Sequence, residues 1–375
     1  MSHRKSTRRS VSYYPPAALL LAITTFGAAT AAIAQDVSDL QKAKSPLVLD
    51  SQGSFVVGGQ NVAKNAVDVG GAAPGHITIK QLYVEYMIPS GANKVPVVMI
   101  HGGGLSGKSF QTTPDGRMGW NEYFVRQGHP VYNVDQVARA RSSFDPTVYN
   151  QVRAGLLSPS ALPVITRTTD EAAWQNFRFG PSFGVAWPDE QFPVEHAADF
   201  SRQGTADLSA TLTPATPPAI SSPDSYQVLA DLAIKLDGAV LMGHSQSSDF
   251  PLRAVLTNPT GIKGAIFLET TVPTRCLQFT DQEIAKLAAV PILFEFNDHL
   301  DQQPTGVLAS FNNCKALVDK INAAGGDATM LHPAELGIHG NSHMVMLDKN
   351  NLQIADLILK WIDENVGKKK VVAKN

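Results

Sequence analysis

A serine hydroxyl attacks an acyl carbon only if a base removes its proton and backbone donors receive the oxygen that becomes negative. Gly243-His244-Ser245-Gln246-Ser247 has the residue types for presenting such a serine. It follows an apolar run at 239–242 and precedes a stretch that reads as a helix from about Ser247. That strand-turn-helix context is what a nucleophile elbow requires, and the positions two residues either side of the serine must be small. Gly243 meets this fully, while Ser247 stands where a second glycine is usual. The loop His101-Gly102-Gly103-Gly104 directly follows another apolar run, 95–100, and its glycines allow close approach of the chain. One oxyanion donor would be the amide of Gly103, with Gly104 as the alternative; the amide of Gln246 would be the other.

The base must be a histidine brought from elsewhere. His343, in Gly340-Asn341-Ser342-His343, falls after the last strand pattern and before the final helical run, where a mobile loop can carry an imidazole over the serine. His339, four residues earlier, is the alternative. Two carboxylates compete for the supporting role: Glu269 after the run 263–268, and Asp298 after the run 291–296. Both keep the order serine, acid, histidine, so spacing leaves the choice open. A different chemistry is also written into residues 102–109, which fit the phosphate-loop pattern G-x-x-x-x-G-K-S. A phosphate loop must open a helix, whereas Pro114-Asp115-Gly116 reads as a turn, so nucleotide binding is not expected.

Three stretches together, His101–Gly104, Thr112-Thr113-Pro114-Asp115-Gly116-Arg117-Met118-Gly119-Trp120 and Gly340-Asn341-Ser342-His343-Met344, resemble a family of bacterial secreted esterases of the α/β-hydrolase superfamily, the "esterase 713" type. The similarity covers most of residues 95–366 outside the middle of the chain. It implies an α/β-hydrolase fold and a glutamate acid after the strand that follows the nucleophile, which maps to Glu269. The family prototype carries two adjacent cysteines in the oxyanion loop where this chain has Gly103 and Gly104. The expected reaction is two-step hydrolysis of a carboxylic ester through an acyl-enzyme. A lactonase or polymer-ester hydrolase would use the same residues, and a non-catalytic binding protein is the remote alternative.

Apolar, β-rich runs at 76–87, 95–100, 131–134, 239–242, 263–268 and 291–296 alternate with helical patterns at 226–236, 281–288, 306–324 and 351–365. Such alternation predicts a mostly parallel sheet with helices on both faces, within one hydrolase domain over 35–375. Residues 142–222 break the rhythm, with frequent proline and an aromatic cluster at Trp174, Phe177, Phe179, Phe183, Trp187 and Phe192. This stretch is too long for a loop and predicts an inserted cap. A cap is expected to set substrate preference and leave the reactivity of the serine to the core.

The first 34 residues predict a signal peptide: Arg4, Lys5, Arg8 and Arg9, then an apolar stretch from Ala17 to about Ala32, then Ala32-Ile33-Ala34 before Gln35. Periplasmic or secreted location follows, with no membrane anchor after removal. Losing those basic residues makes the body more acidic than the whole chain's net −2, which argues against nucleic acid as a partner. Export permits a disulfide, and Cys276 and Cys314 are the only cysteines. Two cysteines build no zinc site alone and HExxH is absent, so no metal or cofactor is expected. The partner is an ester substrate, small or polymeric.

Overall fold

Val-Val-Met-Ile at 97–100 offers no polar side chain to either face, and such a segment suits a strand covered on both sides. The structure, a computed structural model, describes residues 37–210, 223–302 and 306–366. In chain order it runs β1 (Leu49–Lys64), β2 (Gly75–Pro89), β3 (Val97–Ile100), α1 (Trp120–Arg126), β4 (Val131–Asp135), α2 (Thr147–Arg153), β5 (Val164–Thr166), α3 (Asp170–Asn176), α4 (Ala197–Ser201) and β6 (Asp207–Ala210). It continues with α5 (Pro223–Lys235), β7 (Ala239–His244), α6 (Phe250–Thr257), β8 (Ile262–Leu268), α7 (Asp281–Leu287), β9 (Ile292–Glu295), α8 (Val307–Ala323), β10 (Ala328–Leu331) and α9 (Asn351–Asn365).

The main sheet has the order β1-β2-β4-β3-β7-β8-β9-β10. From β4 to β10 every pairing is parallel, and β1 and β2 add an antiparallel hairpin at one edge. The expected α/β-hydrolase architecture is therefore present. Strand β1 was not foreseen because most of its side chains face water, so it carries no apolar run or clean alternation.

Alternating side chains of the central strands feed two cores. Val98, Ile100 and Leu241 pack on one face with α5 to α8, while Val97, Met99, Val240 and Met242 pack on the other with α1 and α9. Trp120 of α1 is fully buried there and donates from its indole Nε1 to the Asn351 carbonyl at 2.9 Å, docking α1 on the start of α9. Each large apolar side chain removed from water in this way contributes about 1.5–3 kcal/mol.

Residues 142–210 contain only short elements, and their strands β5 and β6 pair with each other in a two-stranded sheet apart from the main one. The remaining part of the expected insert, 211–222, lies outside the described residues, as does the expected leader over 1–34. Among the described residues no helix is long and apolar enough to cross a membrane.

Cys276, on a short turn before α7, is joined by a disulfide to Cys314 of α8. Replacing both by serine is expected to lower unfolding free energy by about 4 kcal/mol, the chain-entropy value for a loop of this size. Urea unfolding of wild type and double variant measures the difference.

Candidate active site

Strand β7 delivers Ser245 at its carboxyl end with φ +57°, the left-handed backbone of a sharp turn. A Cβ on Gly243 would stand 2.0 Å from the Ser247 carbonyl oxygen, so only glycine fits two residues before the serine. Ser247 is not a mere tolerated substitute for glycine. Its hydroxyl accepts from His244 N at 3.0 Å and donates to Ile100 O at 2.9 Å, tying the turn to the end of β3.

The structure brings Ser245, His343 and Glu269 together. His343 Nδ1 lies 2.6 Å from Glu269 Oε1, and His343 Nε2 lies 2.8 Å from Ser245 Oγ. An ionised carboxylate only accepts, so Nδ1 carries the proton and Nε2 is left to accept from the serine hydroxyl. Glu269 is fully buried at the end of β8 and bonded through both oxygens to the guanidinium of Arg178. Asn297 N also donates to its Oε2, at 2.9 Å. Burial by itself would push the Glu269 carboxyl up, but Arg178 and His343 outweigh it and hold the group well below the usual range. Glu269 is therefore ionised at neutral pH.

The loop of His343 is held by contacts from several sides. Asp348 accepts from Ser342 N at 2.8 Å and Ser342 Oγ at 2.6 Å, closing the segment on itself. Arg117 donates to the carbonyls of Leu347 and Asp348, both at 2.7 Å, so the Thr112–Trp120 motif clamps this loop. His343 N donates to Phe177 O, and the Phe177 ring stacks on the imidazole at 5.4 Å. His244 Nε2 donates to the His343 carbonyl at 2.8 Å. Burial, then the adjacent His343, pushes the His244 pKa down to about 3, so it stays a neutral strut.

Asp298 and His339 pair with one another instead, His339 Nδ1 donating to Asp298 Oδ2 at 3.0 Å. The Asp298 carboxylate also receives Gly340 N and His299 N, which makes it a loop brace. Gly102 and Gly103 pass directly over the nucleophile turn: a Cβ on Gly102 would stand 3.0 Å from Ser245 Cβ, and one on Gly103 3.2 Å from Gln246 Cδ. Gly104, at φ +65°, offers its carbonyl to Thr205 N at 2.7 Å. Within the phosphate-loop pattern, Gly107–Phe110 forms one 3₁₀ turn and no α-helix begins there.

Sequence reasoning missed the insert's share of this site. Arg178 and Phe177 both come from it, so it buttresses the carboxylate and the imidazole. No motif surrounds Arg178; its only sequence signal is a basic residue inside an aromatic run. Glu295, buried beside Glu269, was also missed; burial and the Glu269 charge push its carboxyl well above the usual range.

Glu190, near Arg178 and Asp348, is pushed up to about 9 by burial and then by the Asp348 charge. It is protonated in the folded chain across neutral pH but ionises near the ordinary carboxyl value of 4.5 when unfolded. Its contribution to stability is therefore full below pH 4.5 and lost as pH rises toward about 9. Glu190→Gln should match wild type in urea unfolding at pH 4.5 and exceed it at pH 8.5.

Two cavities meet at Gly103 and Gly104. One, of about 410 Å³, is walled by Trp174, Phe177, Phe179, Phe183 and Phe200 above Gly103 and Gly104. The other, of about 190 Å³, holds Ser245 and Gln246 among threonines 166, 168, 270 and 271.

A doubly covered parallel sheet presenting a strained serine, a histidine and a buried carboxylate defines an α/β-hydrolase. No protein-family model matches the chain. A solved structure described as that of a novel bacterial esterase is 40% identical, with a TM-score of 0.79, and the match covers 87% of this chain and 99% of that one. The chain belongs to that bacterial esterase's family and is a carboxyl-ester hydrolase. It is also similar to the "Probable secreted lipase phiG" of a fungal species (strain ATCC 74256), 27% identical over 331 residues that span 76% of this chain and 86% of the lipase.

Proposed function

We propose that the chain is an exported serine carboxylesterase with Ser245 as nucleophile, His343 as base and Glu269 as supporting acid. The observation that carries this is the relay of 2.8 Å and 2.6 Å contacts from Ser245 through His343 to Glu269. His343 takes the Ser245 proton as Oγ attacks the acyl carbon, and the Gly103 and Gln246 amides receive the oxyanion. The imidazolium, stabilised by ionised Glu269, then protonates the departing alcohol. The same imidazole next activates water, which releases the acid and restores the serine.

The insert acts as the cap of this site. Its aromatic cavity suits the apolar arm of an acyl or aryl ester, and the smaller polar cavity suits the short arm. Export is supported by the basic-then-apolar leader and fits the disulfide. A panel of p-nitrophenyl esters of increasing acyl length, with lactones and a polyester film in parallel, tests the reading, with Ser245→Ala as the control. Turnover of linear esters above lactones and film is expected. Faster lactone or film hydrolysis would move the substrate class but not the chemistry, whereas no serine-dependent turnover of any member overturns the proposal.

A further inference from the structure

A continuous set of polar contacts begins on the loop of Gly103 and ends on Gln246, joining the two segments proposed to receive the oxyanion. His101 donates from Nδ1 to Gly102 O at 2.8 Å and accepts Gln136 N–H at Nε2, 3.1 Å. The Gln136 amide nitrogen reaches back to His101 O, and its oxygen meets Arg139 Nη1. Arg139 Nε and Nη2 hold Asp207 Oδ1 at 3.0 and 2.8 Å, and Asp207 Oδ2 accepts from Gln246 Nε2 at 2.8 Å. The side chains of Arg139 and Asp207 are 1% and 7% exposed. Asp207 belongs to the insert, as does Thr205, which holds Gly104 O.

The electrostatics of this arrangement have a sign. Asp207 Oδ2 lies 3.4 Å from where a Cβ on Gly103 would stand, so a full negative charge adjoins the place where a second one develops. Like charges that close oppose the transition state. Resting on the assignment of Ser245 and its oxyanion donors, we propose that Arg139 and Asp207 are a positioning pair for the oxyanion site. Asp207 fixes Gln246 against the Gly102–Gly104 loop, and Arg139 cancels the Asp207 charge so that this fixing does not oppose the oxyanion.

The test uses the full chain with p-nitrophenyl acetate, active sites being counted by organophosphonate titration. Arg139→Gln should lower kcat per titrated site by about 10²-fold with KM changed less than about twofold, the pattern of an interaction made only in the transition state. Asp207→Asn should lose only about 10-fold, and the double variant should recover about 10-fold over Arg139→Gln, because removing the carboxylate removes the repulsion. A purely structural pair would instead lower the melting temperature of Arg139→Gln while leaving its kcat per titrated site near wild type. Gln246→Met keeps its backbone amide on a partly exposed side chain and should lose about 10-fold in kcat with its melting temperature unchanged. No recovery in the double variant, or wild-type kcat in Gln246→Met, overturns the inference. Should Arg139→Gln fail to fold, Gln246→Met decides alone. An active Ser245→Ala would instead remove the reading beneath, whatever these variants do.

Discussion

Ser245→Ala is expected to leave a folded protein whose turnover falls by roughly 10³-fold or more, the usual loss when a triad nucleophile is removed. The hydroxyl being deleted makes its contact with His343 Nε2 and takes no part in the core. What holds the turn is backbone and neighbour: Ser245 N donates to Glu269 O at 3.0 Å, and Ser247 ties the turn to β3. Alanine at φ +57° meets the same strain as serine, so melting temperature should change little. An organophosphonate should label Ser245 in wild type and nothing in the variant. Label on another serine, or turnover surviving the substitution, would sink the nucleophile assignment.

Glu269→Gln should cut kcat by about 10⁴-fold with KM nearly unchanged, because a neutral amide can neither fix the Nδ1–H tautomer nor stabilise the imidazolium. The loss is deepened by Arg178, whose guanidinium is fully buried and pairs with both carboxylate oxygens. Removing one member of a buried ion pair costs about 3–5 kcal/mol, so this variant should also melt lower than wild type. Active-site titration separates that cost from the chemical defect. Asp298→Asn, by contrast, disturbs a loop brace between His339 and Gly340 and should lose less than about 10-fold. A crippled Asp298→Asn beside an active Glu269→Gln would reverse the two roles.

The sharp turn at Ser245 and the close approach of the 102–104 glycines were legible in the sequence because local sterics dictate them. Gly243 must be glycine where a Cβ would meet Ser247 O, and apolar runs at β3 and β7 mark strands buried on both faces. The disulfide was likewise within reach, since two cysteines leave one pairing. The choice between two carboxylates was not legible from spacing, since both follow strands and precede the histidine. Family resemblance favoured Glu269, and the structure places its Oε1 at His343 Nδ1 while Asp298 faces His339.

The partners of that carboxylate belong to tertiary structure alone. Arg178 is 91 residues from Glu269 in the chain, and Asp207 is 68 from Arg139, so no periodicity or motif could link them. Local sequence decides backbone conformation through contacts within a few residues. Charge compensation is decided by which buried groups the packed chain brings face to face, because an uncompensated charge there costs several kcal/mol. For the same reason the insert, whose sequence reads as a cover of prolines and aromatics, is part of the proposed reaction centre: it brings Arg178 to Glu269, Phe177 to His343 and Asp207 to Gln246.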